Sequence, residues 1–167
     1  YVKINDIERW SNKIISETNE ISITFLQVGL NLRKKHENET YEPQCTEIVA
    51  GNYDSEIQLF CENLKKLSIP TFLRIGYEFN EPEKYTPDTF ISAWRYIVNK
   101  LQEFNVNNIA TVWCSCPAMS KKIDEIMAFY PGDEYVNWFG IDLFGVNRFK
   151  NNDDKLTEEF IREAELH

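Results

Sequence analysis

The stretch Ile69-Pro70-Thr71-Phe72-Leu73-Arg74-Ile75-Gly76-Tyr77, followed at once by Glu78-Phe79-Asn80, decides how this chain reads. Ile, Phe and Leu crowd into a short run between a helix-like segment and a polar loop, which is the pattern of a buried strand. A charged residue where such a strand surfaces is costly unless it is paired or used. In a sheet of parallel strands, ligands bind at the carboxyl ends. Glu78 is therefore the leading candidate for function.

Working outward, the segment before the run is an amphipathic helix over Asp54 to Leu67, with Ile57, Phe60, Cys61, Leu64 and Leu67 on one stripe and an aspartate at its start. Further back, Ile21 to Leu32 reads as a strand, and Ile7, Trp10, Ile14 and Ile15 recur at helical spacing between Asp6 and Glu20. Arg33 to Tyr53 is polar with few periodic positions, and reads as a long loop on the carboxyl side of the strand, of the kind that is functional or mobile. Forward of Glu78, Pro87 to Phe104 predicts a helix with Phe90, Ile91, Trp94, Ile97, Val98 and Leu101 as its apolar face. Asn108 to Cys114 and Val136 to Phe144 predict two more strands. Lys121 to Met127 predicts a short helix between them, and Leu156 to Leu166 a last helix. Strand and helix alternate, which implies parallel strands joined by right-handed crossovers in an α/β architecture. No repeat or linker interrupts residues 1–167, so the chain reads as one continuous unit.

Composition narrows the function classes. Eighteen basic against 27 acidic residues give a net charge of −9, which argues against a nucleic-acid partner, whose phosphates attract basic patches. Aromatic residues at 14% fit a packed core and equally a sugar-binding surface. The four cysteines, Cys45, Cys61, Cys114 and Cys116, do not form a disulfide framework in a chain of this size. Cys114-x-Cys116 lacks zinc-ligand spacing and only two histidines are present, so neither a metal nor another cofactor is expected. No apolar run approaches the roughly 20 residues of a membrane span, so no membrane partner is expected.

Three strand ends carry polar or aromatic groups that parallel strands bring to one face: Glu78 with Asn80, Trp113 with Ser115, and Asp142 with Asn147. Acids beside aromatic platforms suit carbohydrate chemistry, because a Trp ring stacks on the apolar face of a sugar while carboxylates act as general acid or nucleophile. The plainer reading pairs Glu78 with Arg74 or another cation, makes Asp142 a loop cap, and buries Trp113 in the core.

The stretches Phe72 to Asn80, Val112-Trp113-Cys114-Ser115, and Tyr130-Pro131-Gly132-Asp133 leading into Val136-Asn137-Trp138-Phe139-Gly140-Ile141-Asp142 together resemble glycoside hydrolase family 26, the β-mannanase family. The resemblance runs from about Val28 to the C-terminus. It implies a (β/α)8 TIM-type barrel and retaining hydrolysis of β-1,4-linked mannan-type or related polysaccharide. Glu78 matches the family's acid/base at the end of the fourth strand, and Asp142 an acid on the sixth. Tyr77 stands where the mannanases usually carry His, and Phe144 where they commonly carry a Tyr that hydrogen-bonds the nucleophile. Glu81-Pro82-Glu83-Lys84-Tyr85 departs from the Asn-Gly-x-x-Trp pattern that often follows the acid. Tyr77, Asn80, Tyr85, Trp113, Asp142 and Phe144 are thus expected to shape substrate subsites, and the departures put strict mannan specificity in doubt.

A barrel of this type needs about 250 residues, and the patterning marks four strands, counted as barrel strands three to six. Residues 1–167 are therefore expected to be one partial barrel catalytic domain. The family nucleophile, a Glu ending the seventh strand, is expected beyond His167, which would leave this chain alone inactive. Open strand edges on both sides predict self-association. Through the resemblance, an extracellular or secreted enzyme acting on poly- or oligosaccharide is expected. Two other readings stand beside it: a carbohydrate-binding pseudoenzyme of the same fold, and a structural α/β module. For Tyr130-Pro131-Gly132-Asp133, the expected role is a turn that positions the strand after it.

Overall fold

A computed structural model of the chain describes residues 2–4, 6–10, 13, 25–116 and 122–142. The strands are β1 (Val2–Lys3), β2 (Leu26–Asn31), β3 (Arg33–Lys35), β4 (Tyr41–Pro43), β5 (Thr71–Ile75), β6 (Ile109–Ser115) and β7 (Trp138–Ile141). The helices with described bounds are α1 (Cys45–Val49), α2 (Asp54–Leu67), α3 (Pro87–Glu103) and α4 (Ile123–Met127), with a 3-10 turn at Asp133–Tyr135. Residues 7–10 are also helical, in keeping with the periodicity around Ile7 and Trp10. The expected last helix, Leu156 to Leu166, and the end of the expected strand at Phe144 lie outside the described residues.

Five strands form one sheet in the order β1-β2-β5-β6-β7, every neighbouring pair parallel. The long helices α2 and α3 make the crossovers that parallel pairing demands. Four of the five strands are those that the apolar runs mark. The fifth, β1, pairs Val2 with Leu30 and Lys3 with Asn31. Two residues are too short to show a period, so no pattern reveals it. If β2 is the barrel's third strand, β1 takes the place before it.

The register separates two faces. Val28 pairs with Leu73 and Leu30 with Ile75, so Val2, Ile4, Val28, Leu30, Leu32, Leu73 and Ile75 line the side covered by helices, where all are buried. Gly29, Arg74, Cys114 and Gly140 fall on the opposite side, because strand residues alternate and the pairing holds across the sheet. Against the first face, α2 lays Ile57, Phe60, Cys61 and Leu64, and α3 lays Phe90, Ala93, Trp94, Ile97, Val98 and Leu101. Both sets follow the i, i+3, i+4, i+7 spacing of one helical stripe. Each fully buried Leu, Ile or Phe contributes about 1.5–3 kcal/mol relative to exposure.

The segment Arg33 to Tyr53 is not a long irregular loop. It holds the antiparallel ribbon β3–β4, with Arg33 opposite Pro43 and Lys35 opposite Tyr41, then α1. The ribbon is mostly solvent-facing and its residues are polar, so it carries no apolar alternation to betray it.

Tyr130-Pro131-Gly132-Asp133 forms the expected turn. Gly132 sits at φ +108°, a backbone region that side chains disfavour. The Arg95 side chain donates to the Pro131 carbonyl at 2.8 Å, and the Trp94 indole N–H to the Tyr135 carbonyl at 3.2 Å, tying the turn to α3. Just beyond, the Asn137 side-chain oxygen accepts the Thr111 amide at 2.9 Å, which starts β7 in register with β6.

Candidate active site

The chain leaves β5 through a tight bend. Gly76 has φ +53°, and a Cβ there would lie 2.7 Å from the Phe90 ring, so only glycine fits. Glu78 also takes a left-handed backbone, φ +52°, which costs a non-glycine residue of order 1–3 kcal/mol. Its amide donates to the Cys114 carbonyl at 2.8 Å, docking the bend on the end of β6. In the same way the Asp142 amide donates to the Ser115 carbonyl at 2.9 Å. The bend therefore holds Glu78 beside the strand ends in a conformation that a relaxed loop would not choose.

The charged groups follow from strand parity. Arg74 and Asp142 occur 68 residues apart, yet both fall on the face away from the helices, where the guanidinium and carboxylate form an ion pair. The arginine side chain is buried and the aspartate mostly so. Glu78 is three-quarters buried, with the Lys84 ammonium 3.8 Å from its carboxylate. That ammonium is 3.2 Å from Glu81, and the lysine side chain is 2% exposed. Both cations approach the Tyr77 ring, the Arg74 guanidinium at 5.2 Å and the Lys84 ammonium at 5.2 Å from its centroid.

Burial pushes the Glu78 carboxyl above its ordinary range, opposed first by Lys84 and more weakly by Arg74, and reinforced by the negative charges of Asp142 and Glu81. Desolvation pushes the Lys84 ammonium down from its ordinary value, while Glu81 and Glu78 pull it back up. A carboxyl that keeps its proton to higher pH, inside a cluster of fixed charges, suits a proton donor.

The other expected site residues are placed differently. Trp113 has the opposite parity to Cys114 and points to the helix side of the sheet. It is 4% exposed, stacked on Phe79 with centroids 4.7 Å apart, and its indole N–H donates to the Phe129 carbonyl at 3.2 Å. In this structure both its ring face and its polar atom are used in the core, and it does not join the charged groups at the strand ends. Asn80 is buried and staples the bend to β6, donating to the Cys116 carbonyl and accepting the Cys116 amide, each at 2.8 Å. Tyr85 is buried, and its hydroxyl accepts the Leu32 amide at 3.3 Å. Asn80 and Tyr85 thus brace the bend from either side instead of presenting open surfaces to a ligand. Ser115 is buried at the end of β6. Phe144 and Asn147 lie outside the described residues.

Two residues outside the expected set enter the cluster, Arg74 and Lys84. Arg74 carries a usable signal, a charge in the middle of an otherwise apolar strand. Lys84 carries a fainter one, a lone cation three residues after Glu81 in an acidic stretch. The four cysteines are free and buried, with thiols pushed up by burial to about 12 at Cys45 and Cys61 and about 11 at Cys114. Among the described residues, no group of three or more His, Cys, Asp or Glu side chains converges on a point that would hold a metal ion.

A parallel sheet with crossover helices on one face and charged groups gathered at its carboxyl ends is part of a TIM-type barrel with a polar site at the usual end. The model of glycosyl hydrolase family 26 matches residues 47–164, and the chain belongs to that family. GH26C from Muricauda sp. superposes with a TM-score of 0.66 at 20% identity, covering 90% of this chain and 47% of that one. A double mutant of the Cellulomonas fimi endo-β-1,4-mannanase gives a TM-score of 0.61 at 16% identity, covering 87% of this chain and 37% of that one. Two curated β-1,3-xylanases, from Vibrio sp. and Alcaligenes sp., are each 22% identical over 135 residues, or 80% of this chain. The chain spans only 27% of the length of those two relatives.

Proposed function

We propose that this chain forms the acid/base half of the active site of a secreted retaining glycoside hydrolase, with Glu78 as the general acid/base. The observation that carries the reading is Glu78 itself: a largely buried carboxyl with raised proton affinity, held on a strained bend at the carboxyl end of a barrel strand. In the first step the Glu78 carboxyl gives its proton to the glycosidic oxygen as the C–O bond breaks and a second carboxylate bonds to the anomeric carbon. In the second step water attacks that carbon, the glycosyl–carboxylate bond breaks, and the Glu78 carboxylate takes the water's proton. The second carboxylate, about 5–5.5 Å from Glu78 in a retaining enzyme, is a Glu on a later barrel strand, outside the described residues. Asp142, tied to Arg74, holds the polar floor of the site, and Tyr77 borders it.

The substrate is a β-linked polysaccharide, for which a mannan-type β-1,4 chain is the first choice. The names of the two β-1,3-xylanases support a second reading, β-1,3-xylan, and Tyr77 in place of the usual mannanase His is compatible with it. The test is turnover of β-1,4-mannan, β-1,3-xylan and β-1,4-glucan by the full-length protein and its Glu78→Gln variant. Removing the acid is expected to lower kcat/KM by about 10²–10⁴-fold on polysaccharide. An aryl glycoside whose leaving group needs no proton should be spared in its first step and accumulate a glycosyl-enzyme. Unchanged turnover of polysaccharide by Glu78→Gln would remove the acid role. Glycan binding by the wild type with no turnover on any substrate would assign a pseudoenzyme instead.

A further inference from the structure

Lys84 is the most deeply buried cation in the site, and the catalytic reading of Glu78 leaves it without a task. An ammonium with a 2% exposed side chain is costly unless its surroundings repay the lost hydration. Its surroundings are specific: Glu81 at 3.2 Å, Glu78 at 3.8 Å, and the face of Tyr77 at 5.2 Å. The backbone places it there through a turn in which the Lys84 amide donates to the Glu81 carbonyl, and the Glu81 amide to the Glu78 carbonyl. Acid, partner and lysine are thus linked by two successive turns of one short segment, braced by Asn80 on one side and Tyr85 on the other.

We infer that Lys84 is a positioning residue for Glu78, its ammonium shared between Glu81 and Glu78 so as to hold the Glu78 carboxylate during the half of the cycle in which that carboxylate is charged. The inference rests on the acid/base reading of Glu78. A retaining acid/base must be protonated to start the first step and ionised to start the second. Burial and the charges of Asp142 and Glu81 favour the first state, while Lys84 and the more weakly acting Arg74 favour the second. Because Glu81 is the nearer partner, Lys84 is only partly available to Glu78. The positive charge of Arg33, at the start of the β3–β4 ribbon, disfavours protonation of the lysine. The division of one buried ammonium between two carboxylates keeps Glu78 able to visit both protonation states.

The geometry makes two opposite predictions. In the full-length enzyme, Lys84→Met removes the cation and should move the basic limb of the kcat/KM profile up by about one pH unit, since an opposite charge at this range shifts a carboxyl by about one to three. It should also slow the second step, so that a glycosyl-enzyme accumulates with an activated aryl glycoside. Glu81→Gln frees the lysine for Glu78 and removes a like charge, and should move the same limb down. Lys84→Arg keeps the charge and should return the limb toward the wild-type position. A residue that merely supports the fold would lower activity without moving the limb in either direction. A basic limb unmoved in folded Lys84→Met, or moved the same way in Lys84→Met and Glu81→Gln, overturns the inference. If Lys84→Met does not fold, Glu81→Gln and Lys84→Arg decide it alone, a limb unmoved in Glu81→Gln counting against it. Glu78→Gln in the same series separates the two claims: full activity there removes the acid/base reading itself, whereas a dead Glu78→Gln beside an unmoved limb removes only the role of Lys84.

Discussion

Glu78 combines three features at one residue: a left-handed backbone, a largely buried carboxyl, and a shared cation. The first two cost stability, which the cation partly offsets, and strain of this sort persists where surrounding structure holds it and function uses it. The raised proton affinity has a consequence for stability as well. Folded Glu78 binds its proton more strongly than the unfolded chain, whose carboxyl keeps the ordinary value of 4.5. The stability it contributes is therefore fully present below 4.5 and is lost as pH rises through the folded value. Urea midpoints of the wild type and Glu78→Gln across that range should reveal it, the Gln variant gaining on the wild type as pH rises. A constant difference between the two would mean that Glu78 is not desolvated. Trp113 gives the opposite lesson. Its type suggested a sugar platform, but its parity along β6 sends it to the core, and residue type alone does not carry parity relative to a sheet.

Among the elements, the long helices were legible to within a residue. α2 spans Asp54–Leu67 as its stripe predicts, and α3 spans Pro87–Glu103, one residue shorter than the pattern. Both are long enough for several turns of apolar spacing, so the signal accumulates. β1 and the β3–β4 ribbon escaped because two or three residues, or polar strands facing water, contain no apolar period to read. The turn from Tyr130 to Asp133 was legible through Pro and Gly, but its purpose depends on Trp94, Arg95 and Thr111, all distant in sequence. At this scale Asn137 is the informative residue. Its side-chain oxygen accepts both the amide and the hydroxyl of buried Thr111, at 2.9 and 3.0 Å. Asn137→Ala would leave that amide unpaired at a cost of about 1–3 kcal/mol. Amide exchange over Trp138–Ile141 should accelerate selectively, and uniform exchange changes across the sheet would contradict a local role in starting β7.

For the whole molecule, β1 and β7 are the outermost strands of the sheet among the described residues, and β7 exposes Trp138, Phe139 and Ile141. On the face away from the helices, Phe25, Phe72 and Trp138 form an edge-to-face aromatic row. Apolar surface and unpaired strand edges of this kind promote association. The 167-residue chain expressed alone is expected to dimerise or aggregate, as light scattering would register; a cooperatively unfolding monomer would contradict this. Substitution of Trp138 and Phe139 by Lys and Glu should then shift the population toward monomer. The amino-acid sequence by itself determined the alternation of strands and helices, the long helices, and the motifs around Glu78, Trp113 and Asp142, because each is written in near neighbours. Only the tertiary structure decided that Arg74 meets Asp142, that Lys84 is buried against Glu78 and Glu81, and that Trp113 turns inward. Those outcomes depend on which face of the sheet the helices cover and on charges brought together across 68 residues, and no local pattern encodes either.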